Sequence, residues 1–192
     1  MPKRNQAALD FLLTRRSVPA KTMSGPVPDR DEIEVILTAA ARTPDHGKLE
    51  PWRFIVLETQ ALGRLVDQIS DAGQRLGKSD ADITKALAGY INANLAIVVV
   101  QAIVENPKIP KVEQMYSSGA VCLALTNAAL ASGWGANWLS GWFSHDAQFR
   151  QSALGLTENE RIAGIVHIGT PKSEPSDRPR PDISAVTTWV SE

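Results

Sequence analysis

The hydrophobic residues of this chain recur mainly with the 3.6-residue period of an α-helix. Leu9, Leu12 and Leu13 share one face of the first such segment. In the second, Asp29 is placed to cap the first turn, with Glu32 three residues further on. Helices are predicted over residues 5–14, 29–42, 61–76, 80–90, 110–132 and 146–154.

Four shorter segments predict β-strands, at residues 52–58, 95–100, 136–139 and 162–168. The continuous apolar run at 95–100 is typical of a strand buried on both faces. The helix predicted at 110–132 is apolar around most of its circumference, and a second copy of the chain could supply part of its cover. The proline-rich residues 169–181 are expected to lie extended over a surface or a neighbouring chain. Few strands and long helices indicate an α+β or three-layer α/β arrangement around one sheet.

The composition fits a single globular domain over residues 1–192, with 43% hydrophobic and 21% charged residues. A net charge of −1 creates no field that would attract nucleic acid or an anionic membrane, so neither is an expected partner. The first residues lack the apolar centre of a signal peptide, and a cytoplasmic location is expected. The single cysteine, Cys122, lies in an apolar run, which favours a buried and unreactive thiol.

Arg15, Arg16 and Ser17 form the most distinctive local group of polar residues. Two guanidinium groups and a hydroxyl can together hold a phosphate, because guanidinium presents a planar fork of donors. The same arginines could instead interact with the dipole at the end of the first predicted helix. The spacing alone does not distinguish these two interpretations.

Other common ligand and catalytic motifs are missing from the sequence. There is no glycine-rich phosphate loop, so a phosphate would have to be held by side chains. His46, in the loop at 43–51, is either an ordinary turn residue or a hydrogen-bond donor to a ligand. No metal site is predicted, because His145 and His167 lie far away in sequence and no second ligand stands at helical spacing. No hydrolytic triad is recognisable.

Trp134, Trp138 and Trp142 recur every four residues among glycines that argue against a helix. Packing in the core is the simpler interpretation for each, and we prefer it for Trp134. The segment Trp138–Ser140 is flanked by glycines, which permit close approach, and it is a plausible ligand wall.

Taken together, these motifs resemble the nitroreductase family of flavoproteins, most closely its small YdjA-like branch. The resemblance runs over nearly the whole chain, and its most specific part is the run from Pro44 to Phe54, PDHGKLEPWRF, at its distance from Arg15. It is carried by Arg15-Arg16-Ser17, the run at 41–54, Ser118-Gly119-Ala120, Trp138-Leu139-Ser140-Gly141 and Ile168-Gly169-Thr170-Pro171.

The resemblance implies a three-layer α+β fold with a central mixed sheet flanked by helices, in an interlocked homodimer with FMN at the dimer interface. It implies that Arg15, Arg16 and Ser17 hold the phosphate and ribityl end of FMN, and that Trp138, Leu139 and Ser140 lie along its ring system. The other positions implied to contact FMN are Arg42, His46, Arg178 and Arg180. The segment implied to lie near the nicotinamide comprises Ala128, Ala129, Leu130, Ala131, Ser132 and Gly133.

The activity implied by the resemblance is hydride transfer from NAD(P)H through flavin N5 to a small organic acceptor of the nitroaromatic or quinone type, with ping-pong kinetics. The flavin carries out the hydride transfer, so no catalytic side chain is expected. Arg42 is the candidate cation for stabilising the reduced flavin. Two alternatives are a non-enzymatic flavin-binding or redox-sensing module, and a related flavoenzyme with another substrate, such as a dehalogenase-like or flavin-fragmenting member.

Three positions depart from the family pattern. Leu139 stands where the best-known relative has an arginine, Lys48 where many members have an asparagine, and Glu50 where a glutamine is common. These changes bear on the acceptor and on the redox potential of the flavin, rather than on flavin binding. The choice between NADH and NADPH is not readable from the sequence.

Overall fold

The computed structural model describes residues 3–192, and within this range the chain folds around one antiparallel β-sheet. The helices are α1 (Gln6–Thr14), α2 (Arg30–Ala40), α3 (Thr59–Arg75), α4 (Asp80–Leu87), α5 (Lys111–Ala131) and α6 (Ala147–Leu154). The strands are β1 (Met23–Ser24), β2 (Trp52–Glu58), β3 (Leu95–Ala102), β4 (Gly135–Leu139) and β5 (Glu160–Pro171).

Strands β3 and β5 form the centre of the sheet, and β2 pairs with β3 along one edge. On the opposite side, β4 and the short β1 both pair with β5, one after the other along its length. Every strand pair among residues 3–192 is antiparallel, so the expectation of a mixed sheet is wrong within this chain. No helix in the same range is long and apolar enough to cross a lipid bilayer.

Each face of the sheet is covered by helices, which makes the three layers that the resemblance implies. Alternate residues of β3 point to opposite faces: Val98 packs with α3 and α6, and Val99 packs with α2 and α5. Residues 95–100 of β3 are fully buried, as the sequence predicted. The two apolar layers contain most of the buried side chains of the chain.

The predicted starts of the helices agree with the structure more closely than the predicted ends of some helices and strands. Asp29 and Glu32 form the predicted capping box at the start of α2. The helix predicted at 80–90 ends at Leu87, and β1 was not predicted. The strand predicted at 162–168 extends to Pro171, so the first three residues of the proline-rich segment belong to the sheet.

Candidate functional site

Arg15, Arg16 and Arg180 form a cluster of guanidinium groups at the end of α1, which we call the arginine cluster. The Arg15 Nη2 donates to Ser17 Oγ at 2.8 Å. The Arg16 Nε donates to the backbone carbonyl of Ser176 at 3.1 Å, and this bond holds the C-terminal segment against the start of the chain. The Arg180 Nη2 donates to the Asp177 carboxylate at 2.9 Å. The structure therefore brings Arg180, which the resemblance implies to contact FMN, beside Arg15 and Arg16.

The arginine cluster has more positive than negative charge and an unused donor. Burial, together with the charges of Arg180 and Arg16, lowers the pKa of Arg15 from its ordinary value. Its Nε is buried without a hydrogen-bond partner. Asp177 is the carboxylate that pairs with the cluster. An anion with several oxygens would relieve this repulsion and accept from the free donor. Within residues 3–192 the guanidinium groups of Arg15 and Arg16 make no hydrogen bond to the last carbonyls of α1.

The arginine cluster is tied to the beginning of β4. The backbone N–H of Val18, next to Ser17, donates to the carbonyl of Ala136 at 3.0 Å. From Ala136 to the end of β4 at Leu139 and on to Ser140 the chain advances about 10–13 Å, at 3.3 Å per residue. The cluster and the segment predicted to lie along the flavin ring are thus placed at opposite ends of one short strand.

A cavity of about 320 Å³ lies at the far end of β4, and we call it the β4 cavity. Leu139 and Ser140 line it, as do residues of α4 and of the turn that follows α4. Leu139 points to this side of the sheet, and its Cδ1 lies 3.1 Å from where a Cβ on Gly89 would stand, so glycine leaves space at this contact. The complete lining is Asp82, Lys85, Ala86, Gly89, Tyr90, Leu139, Ser140, Gly141, Trp142 and Phe143.

Two aromatic residues that line the β4 cavity have hydrogen-bond donors without a partner. The Tyr90 hydroxyl and the Trp142 Nε1 are both buried, and neither has a hydrogen-bond partner within residues 3–192. The Tyr90 ring is held edge-on against Phe143 and His167, with centroids 5.7 and 4.5 Å away. Burial raises the pKa of Tyr90 well above its ordinary value, so the hydroxyl remains a neutral donor. An apolar, aromatic cavity with a few unsatisfied donors suits a planar ligand that carries acceptor atoms.

Trp138 lies in the predicted segment but its ring does not line the β4 cavity. Neighbouring residues of a strand face opposite sides, and Trp138 faces away from Leu139. Its Nε1 lies 2.0 Å from the place where a Cβ on Gly164 would stand, so the ring covers that glycine on β5. The side-chain wall of the β4 cavity is therefore formed by Leu139, Ser140 and Trp142. The role of Trp138 at the flavin ring stays a prediction.

Arg42 and His46 lie on another surface. The His46 Nδ1 lies 2.6 Å from Glu113 Oε2 on α5, and both side chains are exposed. Arg42 is exposed just after α2. Within residues 3–192, neither side chain contacts the arginine cluster or lines the β4 cavity.

The loop that carries His46 is fixed at both ends to α5. Ser117 Oγ donates to the carbonyl of Pro44 at 2.7 Å, and Ser118 Oγ lies 3.1 Å from the carbonyl of Pro51. Lys48 and Glu50 both have left-handed backbone conformations, with φ of 54° and 48°. Such conformations are costly outside glycine and are maintained by the surrounding structure. The loop therefore presents these side chains in a fixed arrangement.

The other positions predicted to contact FMN or the nicotinamide do not lie together in the structure. Arg178 contributes a backbone N–H to Asp177, while its guanidinium makes no hydrogen bond or ion pair within residues 3–192. In the segment 128–133, Ala129 is fully buried in the core and has no surface for a ligand. Leu130 and Gly133 line a second cavity, of about 380 Å³, together with Arg16. The role of this segment at the nicotinamide stays a prediction.

Lys85, Tyr90 and Trp142 are the site residues that sequence reasoning missed or assigned to packing. Tyr90 and Lys85 belong to α4 and its turn, which the sequence marks only as helical, and no local motif connects them with Leu139. Within residues 3–192 there is no group of three or more His, Cys, Asp or Glu side chains that could hold a metal ion. Cys122 is buried as predicted, and burial raises the pKa of its thiol to about 12.

Comparison with known proteins defines the class to which this fold and site belong. The sequence model of the nitroreductase family matches residues 12–170. YdjA of Escherichia coli (strain K12), provisionally named as an NAD(P)H nitroreductase, is 35% identical over 169 residues, or 88% of this chain and 91% of YdjA. This chain belongs to the nitroreductase family.

Solved structures show the same fold. A nitroreductase-like family protein from Bacillus cereus has a TM-score of 0.78 at 23% identity, covering 99% of this chain and 98% of that chain. A nitroreductase with bound FMN from Bacteroides fragilis NCTC 9343 has a TM-score of 0.73 at 22% identity, covering 98% and 100% of the two chains.

Proposed function

We propose that this protein is an FMN-dependent oxidoreductase that takes electrons from NAD(P)H and passes them to a small organic acceptor of the nitroaromatic or quinone type. The observation that carries the proposal is the placement of the arginine cluster and the β4 cavity at the two ends of β4. Relatives named as NAD(P)H nitroreductases and a neighbour with bound FMN support the choice of cofactor and electron donor.

The residues present fit FMN at both of its ends. The free Nε of Arg15 and the excess positive charge of the arginine cluster suit the phosphate. The apolar β4 cavity, with the unused donors of Tyr90 and Trp142, suits a flat ring system with nitrogen and oxygen acceptors. When bound, FMN supplies the hydride-accepting and hydride-donating atom, N5.

The residues of this chain would bind FMN, orient its ring system and shield the ring system from water. Leu139 and Phe143 give the β4 cavity an apolar side, and an apolar environment would strengthen the hydrogen bonds that Tyr90 and Trp142 can make. Ser140 adds a hydroxyl at the end of β4. No side chain is assigned a proton-transfer role, and we propose that donor and acceptor use the site in turn, with ping-pong kinetics.

We also propose that the protein acts as a homodimer. Tyr116 and Met115 are exposed by 72% and 51% on α5, which leaves an apolar stripe uncovered in the single chain. Near the C-terminus Trp189 and Val190 are exposed by 90% and 82%. Strand β2 is an edge strand whose outer side has no partner within residues 3–192. A second copy could cover these surfaces and bring Arg42 and His46 to the neighbouring flavin site.

Sedimentation velocity tests the dimer. The unmodified protein should sediment at twice the mass of one chain, and Tyr116→Asp should shift it towards the monomer, because a carboxylate would be buried in an apolar interface. Lys21→Asp, on an exposed position away from α5, is the control and should remain dimeric. A monomer at micromolar concentration without substitution would contradict the proposal.

The first functional measurement is the visible spectrum of the protein after addition of FMN, followed by NADPH or NADH without oxygen. Bound flavin that bleaches, and recovers with a nitroaromatic or a quinone, is the expected result. Bound flavin that neither nicotinamide bleaches would point to the sensing module, and recovery only with another acceptor class would point to the related flavoenzyme. Absence of FMN binding would overturn the proposed function.

A matched pair of arginines tests the arginine cluster. Arg180→Gln should weaken FMN binding by about tenfold or more, since hydrogen bonds to charged groups contribute about 1.5–3 kcal/mol. Arg30→Gln changes the same type of side chain on α2, where Arg30 pairs with Glu34 outside the cluster, and should alter the dissociation constant by less than about twofold. Equal effects of the two substitutions would remove Arg180 from the phosphate site.

A further inference from the structure

Among residues 3–192, the one cationic side chain that lines the β4 cavity is that of Lys85. Leu139 supplies an apolar side chain from β4, and Arg42 of the same chain lies on another surface, so Lys85 is the cation that the chain supplies to its own cavity, beside any that a second copy brings. We propose that Lys85 is the residue that stabilises the reduced, negatively charged form of FMN and so sets the potential of the flavin. This inference rests on the proposed function, because it concerns the same cofactor.

The ammonium group of Lys85 is available for this role. Within residues 3–192, no carboxylate lies within 4.0 Å of its Nζ. Asp82, which lies one turn earlier on α4 and also lines the β4 cavity, accepts a hydrogen bond from the Ser79 hydroxyl at 2.8 Å. The Asp82 carboxylate is thus engaged in capping α4, while Lys85 has no such partner.

A cation beside the ring system changes the relative affinity for the two redox forms. Reduction at neutral pH adds negative charge to the flavin ring, so a nearby ammonium stabilises reduced FMN more than oxidised FMN. Because binding and reduction of the cofactor are thermodynamically linked, a stronger preference of the protein for reduced FMN raises the midpoint potential of the bound cofactor. Lys85 is exposed, so solvent and salt weaken the interaction, and we expect an effect of about three- to tenfold.

Lys85 could instead serve α4 alone, because cations in the last turn of a helix interact favourably with its dipole. That role would change the thermal stability of the protein but not the relative affinity for two redox forms of a ligand. The midpoint potential of bound FMN therefore distinguishes the two roles.

The experiment compares Lys85→Met, Lys85→Arg and Lys78→Met with the unmodified protein. Lys78 is a matched control, because its Nζ lies 5.9 Å from the ring centroid of Trp142 but the residue does not line the β4 cavity. For each protein, the dissociation constant of oxidised FMN is measured by fluorescence, and the midpoint potential by equilibration with a reference dye. The shift of the midpoint potential from that of free FMN gives the ratio of affinities for reduced and oxidised FMN, and the dissociation constant shows whether binding itself has changed.

We expect Lys85→Met to lower this ratio by about three- to tenfold, with a smaller loss at high salt, and Lys85→Arg to retain most of it. Lys78→Met should change the ratio by less than about twofold. An unchanged ratio in Lys85→Met, or an equal loss in Lys78→Met, would overturn the role of Lys85 while leaving FMN binding intact. Failure of the unmodified protein to bind FMN would instead overturn the proposed function.

Discussion

Tyr90 carries a buried hydroxyl that has no hydrogen-bond partner in the described part of the chain, although its ring packs edge-on against Phe143 and His167. An unsatisfied buried hydroxyl destabilises a protein by about 1–3 kcal/mol, and its retention calls for an explanation. A ligand in the β4 cavity that accepts a hydrogen bond from this hydroxyl would explain why the hydroxyl is retained. The hydroxyl would destabilise the free protein but make a favourable contact in the complex.

Tyr90→Phe tests this explanation by removing the hydroxyl and keeping the ring. The FMN-free protein should become more stable by up to about 1 kcal/mol, because no hydrogen bond is lost. FMN binding should weaken by about fivefold, the equivalent of one neutral hydrogen bond of about 1 kcal/mol. Chemical denaturation and FMN titration measure the two effects. An unchanged affinity for FMN would show that the cofactor does not reach Tyr90.

At the scale of residues, the sequence predicted the parts of the site that stand together in the chain. Arg15, Arg16 and Ser17 are adjacent, so their grouping is visible in the sequence, and the structure places Arg180 beside them. Their contact with FMN stays a prediction. Tyr90 and Lys85 could not be found this way. Their only connection with Leu139 is tertiary, made where the turn after α4 packs beside the end of β4.

At the scale of elements, the pairing of β4 with β5 decides which side chains face the β4 cavity. Trp138 stands opposite Val166, and its ring lies over Gly164 on the neighbouring strand. Sequence reasoning predicted the strand but not which of its side chains face a ligand, because that depends on the orientation of β4 in the sheet. The glycine at 164 allows Trp138 to lie flat on the sheet.

Gly164→Ala should destabilise the protein by about 1–3 kcal/mol, because the new methyl group would force Trp138 out of its position. Its Cβ would lie 2.0 Å from the Trp138 Nε1. Gly63→Ala is the matched control, on the exposed side of α3 where a Cβ would meet nothing within 4 Å. It should stabilise the protein by up to about 1 kcal/mol, since alanine favours helix more than glycine. Equal effects in urea denaturation would contradict the described packing.

The strand β1 and the end of β5 were not predicted from the sequence for the same reason. Prolines and glycines in 19–28 and 169–181 predict irregular chain, yet β1 pairs with the end of β5 through Met23–Pro171 and Ser24–Thr170. Proline is tolerated at the end of a strand or at an edge, where its missing N–H is not required. Local composition therefore underestimates strands that are stabilised by a distant partner.

At the scale of the whole molecule, His167 links the sheet to the helical layer that lines the β4 cavity. It is 1% exposed on β5, packs against Tyr90, and neither ring nitrogen has a partner. Burial lowers the pKa of His167 to about 4, from an ordinary value of 6.5. The folded protein therefore holds this imidazole neutral at pH values at which an unfolded chain would protonate it.

The sign of the effect on stability follows from that difference. Between pH 6.5 and about 4 the unfolded chain binds the proton more readily, so the free energy of unfolding falls as the pH falls. The full loss is about 3 kcal/mol, at about 1.4 kcal/mol for each unit of pKa difference. Carboxylates contribute in a lower range: the hydrogen bond from Arg53 lowers the pKa of Glu160 from 4.5 to about 2. The contribution of Glu160 to the free energy of unfolding is present above pH 4.5 and is lost as the pH falls from 4.5 to about 2.

His167→Phe should flatten the pH dependence of unfolding between pH 6.5 and 4.5, because it keeps an aromatic ring against Tyr90 and removes the titrating group. The substitution can shift stability at pH 7 through packing, so the slope with pH, rather than the absolute value, is the relevant quantity. His145→Gln, at an exposed histidine, should leave the slope as it is. Urea denaturation at half-unit pH intervals measures both. A slope that survives in His167→Phe would assign the acid sensitivity to another group and leave the neutral His167 without effect on stability.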